Sequence, residues 1–549
     1  MLGPIDRGSR AVFQPVVKGI HHAYVMSLRG RWRQFQRAAN KPRKAQEARL
    51  RSLLAGRRDT AFAKTHQLDG IDSFAAFQDR VPVRSYDDFS EWINRIANGE
   101  RRVLTRAPVR LMERSRGAAG EIKLIPYTDG LFSEFAAATA PWLRELSIGC
   151  PDLVGTRSYW GMAPLPHQRE STPGGIPIGM DDDTDFFSPL ARFALRRTRA
   201  VRSRVRRIAD PSAWRQQTIQ ELLACEDLGF ISIWHPTFLV ALMEELAQNL
   251  EPLLDTLKPS RRAAIMAGLD EAGDLVGSAL WPRLQLLSCY GEGPSAALLP
   301  NLKAWFPNTR IQAKGLIATE GIVSFPLWSG TGSVLAVTSH FLEFQDLEAP
   351  DARPCLVDEL RLGGTYSPIV TTAGGLTRYH LRDAVRCVGF HGATPCIEFL
   401  GRLDMAANLA GEKVGEAAIR RAVEVAHWET NLKPRFFLVT PVSGPKARYR
   451  IFLERRGDEG DLADFQFCLE RQLQEIDGYR SAREHGLLAE LELIEVKNGW
   501  ETYQRTLSRE GLSVPEREEQ DYLDLRPIWD HAFKKGRSTT RPETSSDSL

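Results

Sequence analysis

Between Thr377 and Glu416 the chain places an acid, a guanidinium and an ammonium in an order that suits a phosphorylated ligand. Asp383 lies in a β-rich stretch. A second apolar run, Ile397 to Leu400, ends in Gly401-Arg402-Leu403-Asp404. Gly411, Glu412 and Lys413 follow in a loop, and a helix is expected to open near Glu416. A carboxylate accepts hydrogen bonds from hydroxyls, while Arg and Lys neutralise phosphate, so the set can hold a polyanionic nucleotide. The same groups also suit a joint between two domains, or a surface hairpin with ordinary charges.

Two other stretches carry chemistry of the same kind. Ser115-Arg116-Gly117-Ala118-Ala119-Gly120-Glu121-Ile122-Lys123 is a short glycine-containing loop with a Lys at its far end. Glycine permits positive φ and lets backbone N–H groups approach phosphate oxygens, and the Lys adds a point charge. A plain turn fits the same residues. Ile311 to Gly321 reads as a strand, a glycine, small residues and then Thr319-Glu320-Gly321. That order suits a flat slot for a base followed by a carboxylate, and Glu320 can hold Mg²⁺ through oxygen. The bland reading of Thr-Glu is a helix start.

The elements that must position these groups are partly legible. Leu284 to Cys289 is a short apolar run of the kind found in buried parallel strands. Trp234 to Leu239 ends a strand and opens a helix; His235 there is read as structural. Phe132 to Leu146 and Ile93 to Ile96 read as helical, and Val25, Leu28, Trp32, Phe35, Leu50, Leu53 and Leu54 mark two amphipathic helices within residues 20–56. Arg196 to Arg207 holds seven Arg in twelve residues and reads as a solvated linker. Beyond Asp404 come a helix at Val414 to Val425, strands at Phe436 to Thr440 and Tyr449 to Leu453, a helix at Leu462 to Ile476 and a strand at Leu488 to Val496. Together they predict a second, smaller α/β unit.

At 549 residues, with 43% hydrophobic and 26% charged residues, the chain has the composition of a globular protein of more than one domain. A formal charge of +3 gives no electrostatic ground for nucleic acid or an anionic membrane as partner. The seven Cys form no C-x-x-C pair, which predicts reduced thiols, a cytoplasmic setting and no structural metal. No run of eighteen apolar residues occurs, so no membrane span is expected.

With these stretches taken together, the chain resembles the acyl-adenylate-forming superfamily, and within it bacterial members of the auxin-responsive acyl-acid amido synthetase family. The resemblance runs from about residue 45 to about 510 and rests on the glycine loop, Ala318-Thr319-Glu320-Gly321, the strand near His340 to Phe344, Asp383, and Arg402 to Asp404. It implies an α/β fold with a large N-terminal domain of packed sheets and helices (1–403) and a small mobile C-terminal α/β cap (404–535); residues 536–549, polar and Ser/Thr-rich, read by composition as a disordered tail. The implied reaction uses ATP and Mg²⁺ to adenylate a small carboxylic acid and passes the acyl group to an amine, typically an amino acid. In that reading Ser115, Arg116, Gly117, Ala118, Ala119, Gly120 and Lys123 meet phosphates, Thr319 and Glu320 line the nucleotide and metal site, Asp383 holds the ribose, Arg402 reaches ribose or phosphate, Asp404 is the hinge, and Lys413 acts at the interface. Tyr159 to Pro166 and the turn at Trp234 would line the acyl site. Two departures stand out: Arg116, Ala118 and Ala119 occupy positions where the family carries hydroxyls, and no Lys occurs between Arg509 and Pro527. The alternative is therefore a non-adenylating relative, an acyl transferase or a nucleotide- or acyl-binding regulatory or scaffold protein.

Overall fold

A computed structural model describes residues 8–534, apart from 117–121, 162–169, 181–188, 209, 404–405, 408, 410–411, 413, 443–446, 458–459, 485, 510–521 and 527. The chain divides into two compact units, one of Met1–Ser115 and Lys123–Arg402, the other of Arg116–Ile122 and Leu403–Leu549.

The larger unit begins with helices. Gly8–Ser27, Arg29–Ala39 and Pro42–Ala55 are three where the periodicity predicts two: the first expected helix is interrupted at Leu28, and Pro42, which lacks an N–H, opens the third. Strands β1 (Val109–Arg116) and β2 (Ile122–Thr128) pair with each other. Thr128 then caps the helix Asp129–Gly149, its hydroxyl accepting from the Leu131 N–H at 3.2 Å.

Four parallel strands follow in chain order across one sheet: β3 (Arg157–Trp160), β4 (Leu228–Ser232), β5 (Leu286–Cys289) and β6 (Arg310–Ala313). Parallel strands need crossovers, and helices such as Pro211–Leu223, Pro236–Gln248 and Leu299–Trp305 supply them. Every residue of β4 and β5 is buried, which is why the stretch Leu284 to Cys289 is mostly apolar, with Ser288 the one polar residue inside the strand. The Arg-rich stretch is not a free linker. It lies in the helix Pro189–Thr198 and a 3₁₀ turn, Ser203–Arg207. Arg199 and Arg206 are buried, and Arg202 pairs with Glu221 at 2.7 Å.

A two-residue hairpin, β7 (Ile317–Ala318) and β8 (Gly321–Ile322), then leads into an eight-stranded antiparallel sheet. Its strands are β9 (Ser324–Pro326), β10 (Ser333–Leu335), β11 (Phe341–Asp346), β12 (Cys355–Leu356), β13 (Thr365–Thr371), β14 (Tyr379–His380), β15 (Asp383–His391) and β16 (Thr394–Arg402). They lie in the order β12-β11-β13-β15-β16-β10-β9, with β14 on β13. One core joins this sheet to the helical N-terminal region through Phe35, Phe62, Phe77, Phe325 and Phe341.

In the smaller unit β17 (Ala406–Ala407) pairs with β18 (Val414–Gly415), so the helix expected from Val414 starts at Glu416 and runs to Thr430. Strands β19 (Pro434–Val442), β20 (Arg448–Arg455) and β21 (Glu492–Glu495) form one sheet, antiparallel and then parallel. Alternation along β19 sends Phe437 and Val439 into one core and Phe436 and Leu438 into another, where Trp500 and Trp529 pack. The last strand is shorter than its apolar run predicts. The expected tail, 536–549, lies outside the described residues. Among the described residues no helix is long and apolar enough to cross a membrane.

Candidate nucleotide and acyl site

Thr319 and Glu320 form the turn of the β7–β8 hairpin and do not start a helix. The turn is held from outside. Tyr127 on β2 donates its hydroxyl to the Thr319 carbonyl at 2.6 Å. Behind the turn, a Cβ on Gly321 would stand 2.8 Å from His340 Nε2, so only glycine fits. That nitrogen accepts the Ile322 N–H at 3.0 Å.

The Glu320 carboxylate is only 7% exposed. Its Oε1 accepts from the Tyr379 hydroxyl at 3.3 Å and faces Ser115 Oγ at 3.5 Å. No Lys or Arg pairs with it among the described residues. Burial, and then the charge of Glu320, push the Tyr379 phenol far up. Burial does the same to Tyr127, with Glu113 and Glu320 adding to it. Both phenols therefore stay protonated and can only support the carboxylate or its turn as donors. Ser115 shares a face of β1 with Glu113, two residues apart, so one strand face brings a hydroxyl and a second carboxylate towards this place.

Asp383 and Arg402 stand directly opposite each other, at the first residue of β15 and the last of β16. Their closest approach is 4.0 Å, Arg402 Nε to Asp383 Oδ1, with the Arg402 side chain 41% exposed and that of Asp383 9% exposed. Arg402 also lowers the Tyr379 phenol's pKa through its charge, against the larger upward effects of burial and Glu320, so it is electrostatically part of the same cluster. The segment that leads into Asp383 is unusual: Arg378 and Arg382 have φ of 50° and 59°. Such left-handed non-glycine residues cost on the order of 1 kcal/mol or more each and persist only where the surroundings over-determine them. Here they turn the chain on either side of β14, so that Tyr379 and Asp383 both face the site.

Lys123 on β2 is described and half-buried, with its Nζ 5.3 Å from the centre of the Tyr86 ring. Tyr86 is in turn fixed by the Leu124 N–H, 2.8 Å from its hydroxyl. Arg116 is the last residue of β1. Gly117, Ala118, Ala119, Gly120, Asp404, Gly411 and Lys413 lie outside the described residues.

Sequence reasoning missed Lys314. It follows β6 and is buried, its Nζ 2.6 Å from Ser232 Oγ and 5.7 and 5.4 Å from the centres of the Trp142 and Trp234 rings. Trp160 meets Trp142 edge-on, and Tyr290 packs on Trp234. A cavity of about 30 Å³ beside it is lined by Thr139, Trp142, Lys314, Ile317, Ile322 and Phe325. The available signal was a Lys directly after a short parallel strand, Arg310–Ala313.

Models of the GH3 family N-terminal, central and C-terminal domains match residues 31–265, 333–402 and 417–515 in that order. The chain belongs to the GH3 family. A putative indole-3-acetic acid-amido synthetase of Oryza sativa subsp. japonica is 28% identical over 71% of this chain and 84% of its own length. A jasmonoyl–L-amino acid synthetase of Nicotiana attenuata is 24% identical over 83% of this chain and 86% of its own. A solved GH3 acyl acid amido synthetase in complex with 2,4-DB superposes with a TM-score of 0.76 at 19% identity, covering 97% of each chain. The fold is thus the adenylate-forming α/β fold of the GH3 family, with a large N-terminal and a smaller C-terminal domain. Membership supports adenylate-forming amide-ligase activity in general and no particular pair of substrates. The relatives named here are plant proteins, and the expected place among bacterial members draws no support from them.

Proposed function

We propose that this GH3 chain is an ATP-dependent ligase that joins an apolar or aromatic carboxylic acid to an amino acid, releasing AMP and pyrophosphate. The observation that carries the reading is a buried carboxylate, Glu320, surrounded by hydroxyls and without a pairing cation among the described residues. Such a donor set fits Mg²⁺ shared with phosphates, since that ion takes one or two protein carboxylates and leaves its other positions to substrate and water. When bound, the ion would neutralise charge on the phosphates.

The chain's own residues supply positioning and charge. Asp383 would accept from ribose hydroxyls, and Arg402 would reach the ribose or the α-phosphate. Lys123 and the loop Ser115 to Gly120 would hold the outer phosphates. Lys314 sits where a buried cation can orient the acid's carboxylate, with Trp142 and Trp234 offering flat apolar walls. In the first step an acid oxygen bonds to the α-phosphorus as pyrophosphate leaves. In the second the amine bonds to the acyl carbon, loses a proton, and AMP leaves. Neither step needs a protein nucleophile; the catalytic power lies in orientation and charge. We take 1–403 as the large domain and 404–535 as the cap, with Asp404 as the hinge that exchanges the half-reactions and Lys413 as a further candidate at the interface. A cytoplasmic location follows from the reduced thiols.

The test is pyrophosphate release from ATP and Mg²⁺ with a panel of indolyl, phenyl and aliphatic acids. Acid-dependent release is expected, with Glu320→Gln at least about 100-fold slower. The two departures, Arg116 with Ala118 and Ala119, and the stretch without Lys, favour the non-adenylating alternative. That alternative wins if no acid releases pyrophosphate while a preformed acyl donor still yields amide.

A further inference from the structure

On the opposite face of β2 from Tyr127, a cavity of about 690 Å³ opens between the helix Pro42–Ala55 and the start of the helix Asp129–Gly149. Its charged lining is one-sided: Arg31, Arg49, Arg57 and Arg106, against Glu134 alone. Arg49 pairs with Glu134. Among the described residues no carboxylate pairs with the other three. Arg57 is buried and held by the carbonyls of Leu53, Thr372 and Leu376, at 2.9, 2.6 and 3.0 Å. Carbonyls fix its place but leave its charge uncancelled. Burial, with Arg49 adding to it against the pull of Glu134, brings its pKa down to about 10, so it remains a cation at neutral pH. Among the described residues Arg31 donates to the Ser133 carbonyl alone, at 3.4 Å, and Arg106 is exposed. The positive end of the Asp129–Gly149 helix dipole adds to the same field. Arg57, whose donors are also spent on Thr377 Oγ1 at 3.0 Å, contributes charge, while Arg31 and Arg106 can offer an oxyanion paired N–H donors in a space large enough for a small metabolite.

The cavity is also wired to the hairpin. Glu134 Oε2 lies 3.0 Å from His340 Nδ1, and His340 Nε2 accepts the Ile322 N–H. Because Nε2 accepts, Nδ1 carries the proton in the neutral ring. An occupant that draws Arg49 towards itself therefore alters the carboxylate that orients His340 behind the turn of Glu320.

We propose that this cavity binds a small multivalent oxyanion, a phosphate ester or a polycarboxylate, and that its occupancy is transmitted through Arg49, Glu134 and His340 to the hairpin carrying Glu320. The site itself does not depend on the ligase reading; only the meaning of the transmitted change does.

The experiment is calorimetric titration of the full chain with pyrophosphate and, separately, tricarballylate, on the parent and on Arg31→Glu/Arg106→Glu. Neither arginine makes an ion pair among the described residues, and Arg31→Lys/Arg106→Lys serves as the charge-retaining control. Binding of at least one oxyanion is expected, weakened about tenfold or more in the Glu pair and retained in the Lys pair. Pyrophosphate alone would assign the phosphate class, and tricarballylate alone the carboxylate class. Equal affinity in parent and Glu pair would place the anion elsewhere, such as the nucleotide site, and would overturn the proposal, as would no binding in the parent. Amide hydrogen exchange over residues 317–322 is expected to change on binding in the parent and not in the Glu pair. Binding without that change would overturn the link to the hairpin.

Discussion

Within one antiparallel sheet of the larger unit, two arginine–carboxylate pairs are built in opposite ways. Arg378 meets Glu343 with two hydrogen bonds, 3.0 and 2.9 Å, and the side chains are 3% and 1% exposed. Gln78 completes the group, its side-chain amide donating to Glu343 at 2.7 Å and its backbone carbonyl accepting from Arg378 at 3.0 Å. Arg402 and Asp383 face each other across β15 and β16 at 4.0 Å, with Arg402 41% exposed. The first pair is closed: each charge is answered by the other and by fixed dipoles. The second is set by strand register, its two charges 4.0 Å apart and one of them partly exposed. Distance in sequence does not separate the two roles, since Arg378 and Asp383 are near neighbours. Burial and geometry do.

The contrast breaks most visibly at Glu343. Glu343→Ala leaves Arg378 charged and buried, and unfolding free energy is expected to fall by about 3–5 kcal/mol in urea denaturation. Replacing both partners, Glu343→Leu with Arg378→Met, should recover much of that loss. If the single variant is as stable as the parent, the closed pair does not hold the frame.

A second closed group responds to pH. His21 accepts the Gly155 N–H at 2.9 Å, and burial, with His22 beside it, brings its pKa down to about 4. The folded pKa is depressed below the ordinary value of about 6.5, so the unfolded chain takes up the proton first. Its contribution is therefore full above pH 6.5 and is lost as pH falls towards 4. Between pH 7.5 and 5 the parent should lose about 2 kcal/mol more than His21→Gln. Equal losses would mean that His21 is open to water. The open pair predicts the smallest effect. Arg402→Lys keeps the charge but loses the planar fork, and ATP affinity should weaken by about threefold to fivefold, with no change in melting temperature.

How much of this was legible in the sequence follows the same physical line. The buried parallel strand at Leu286–Cys289 announced itself because burial on both faces favours a mostly apolar run. Asp383 and Arg402 were legible as candidates because they end strands, and their direct pairing follows from the β15–β16 register. Tyr127 and Tyr379 were not, because they converge on one turn from positions far apart in the chain. The turn was only half legible: Thr319-Glu320 by itself also suits a helix start, and the pairing of Ile317 with Ile322 and Ala318 with Gly321 makes it a hairpin. The Arg-rich stretch misled for a related reason. Its composition says solvated, yet Glu221 and the surrounding fold take up part of its charge.

The decisive measurement pairs calorimetry of ATP with Mg²⁺ and a thermal melt, on the parent and on Asp383→Ala. An open pair that serves a ligand predicts ATP binding in the parent, about tenfold weaker binding in Asp383→Ala, and melting temperatures that agree. Unchanged affinity, or a melting temperature that falls as it should for Glu343→Ala, would place Asp383 with the frame and contradict the nucleotide site drawn here.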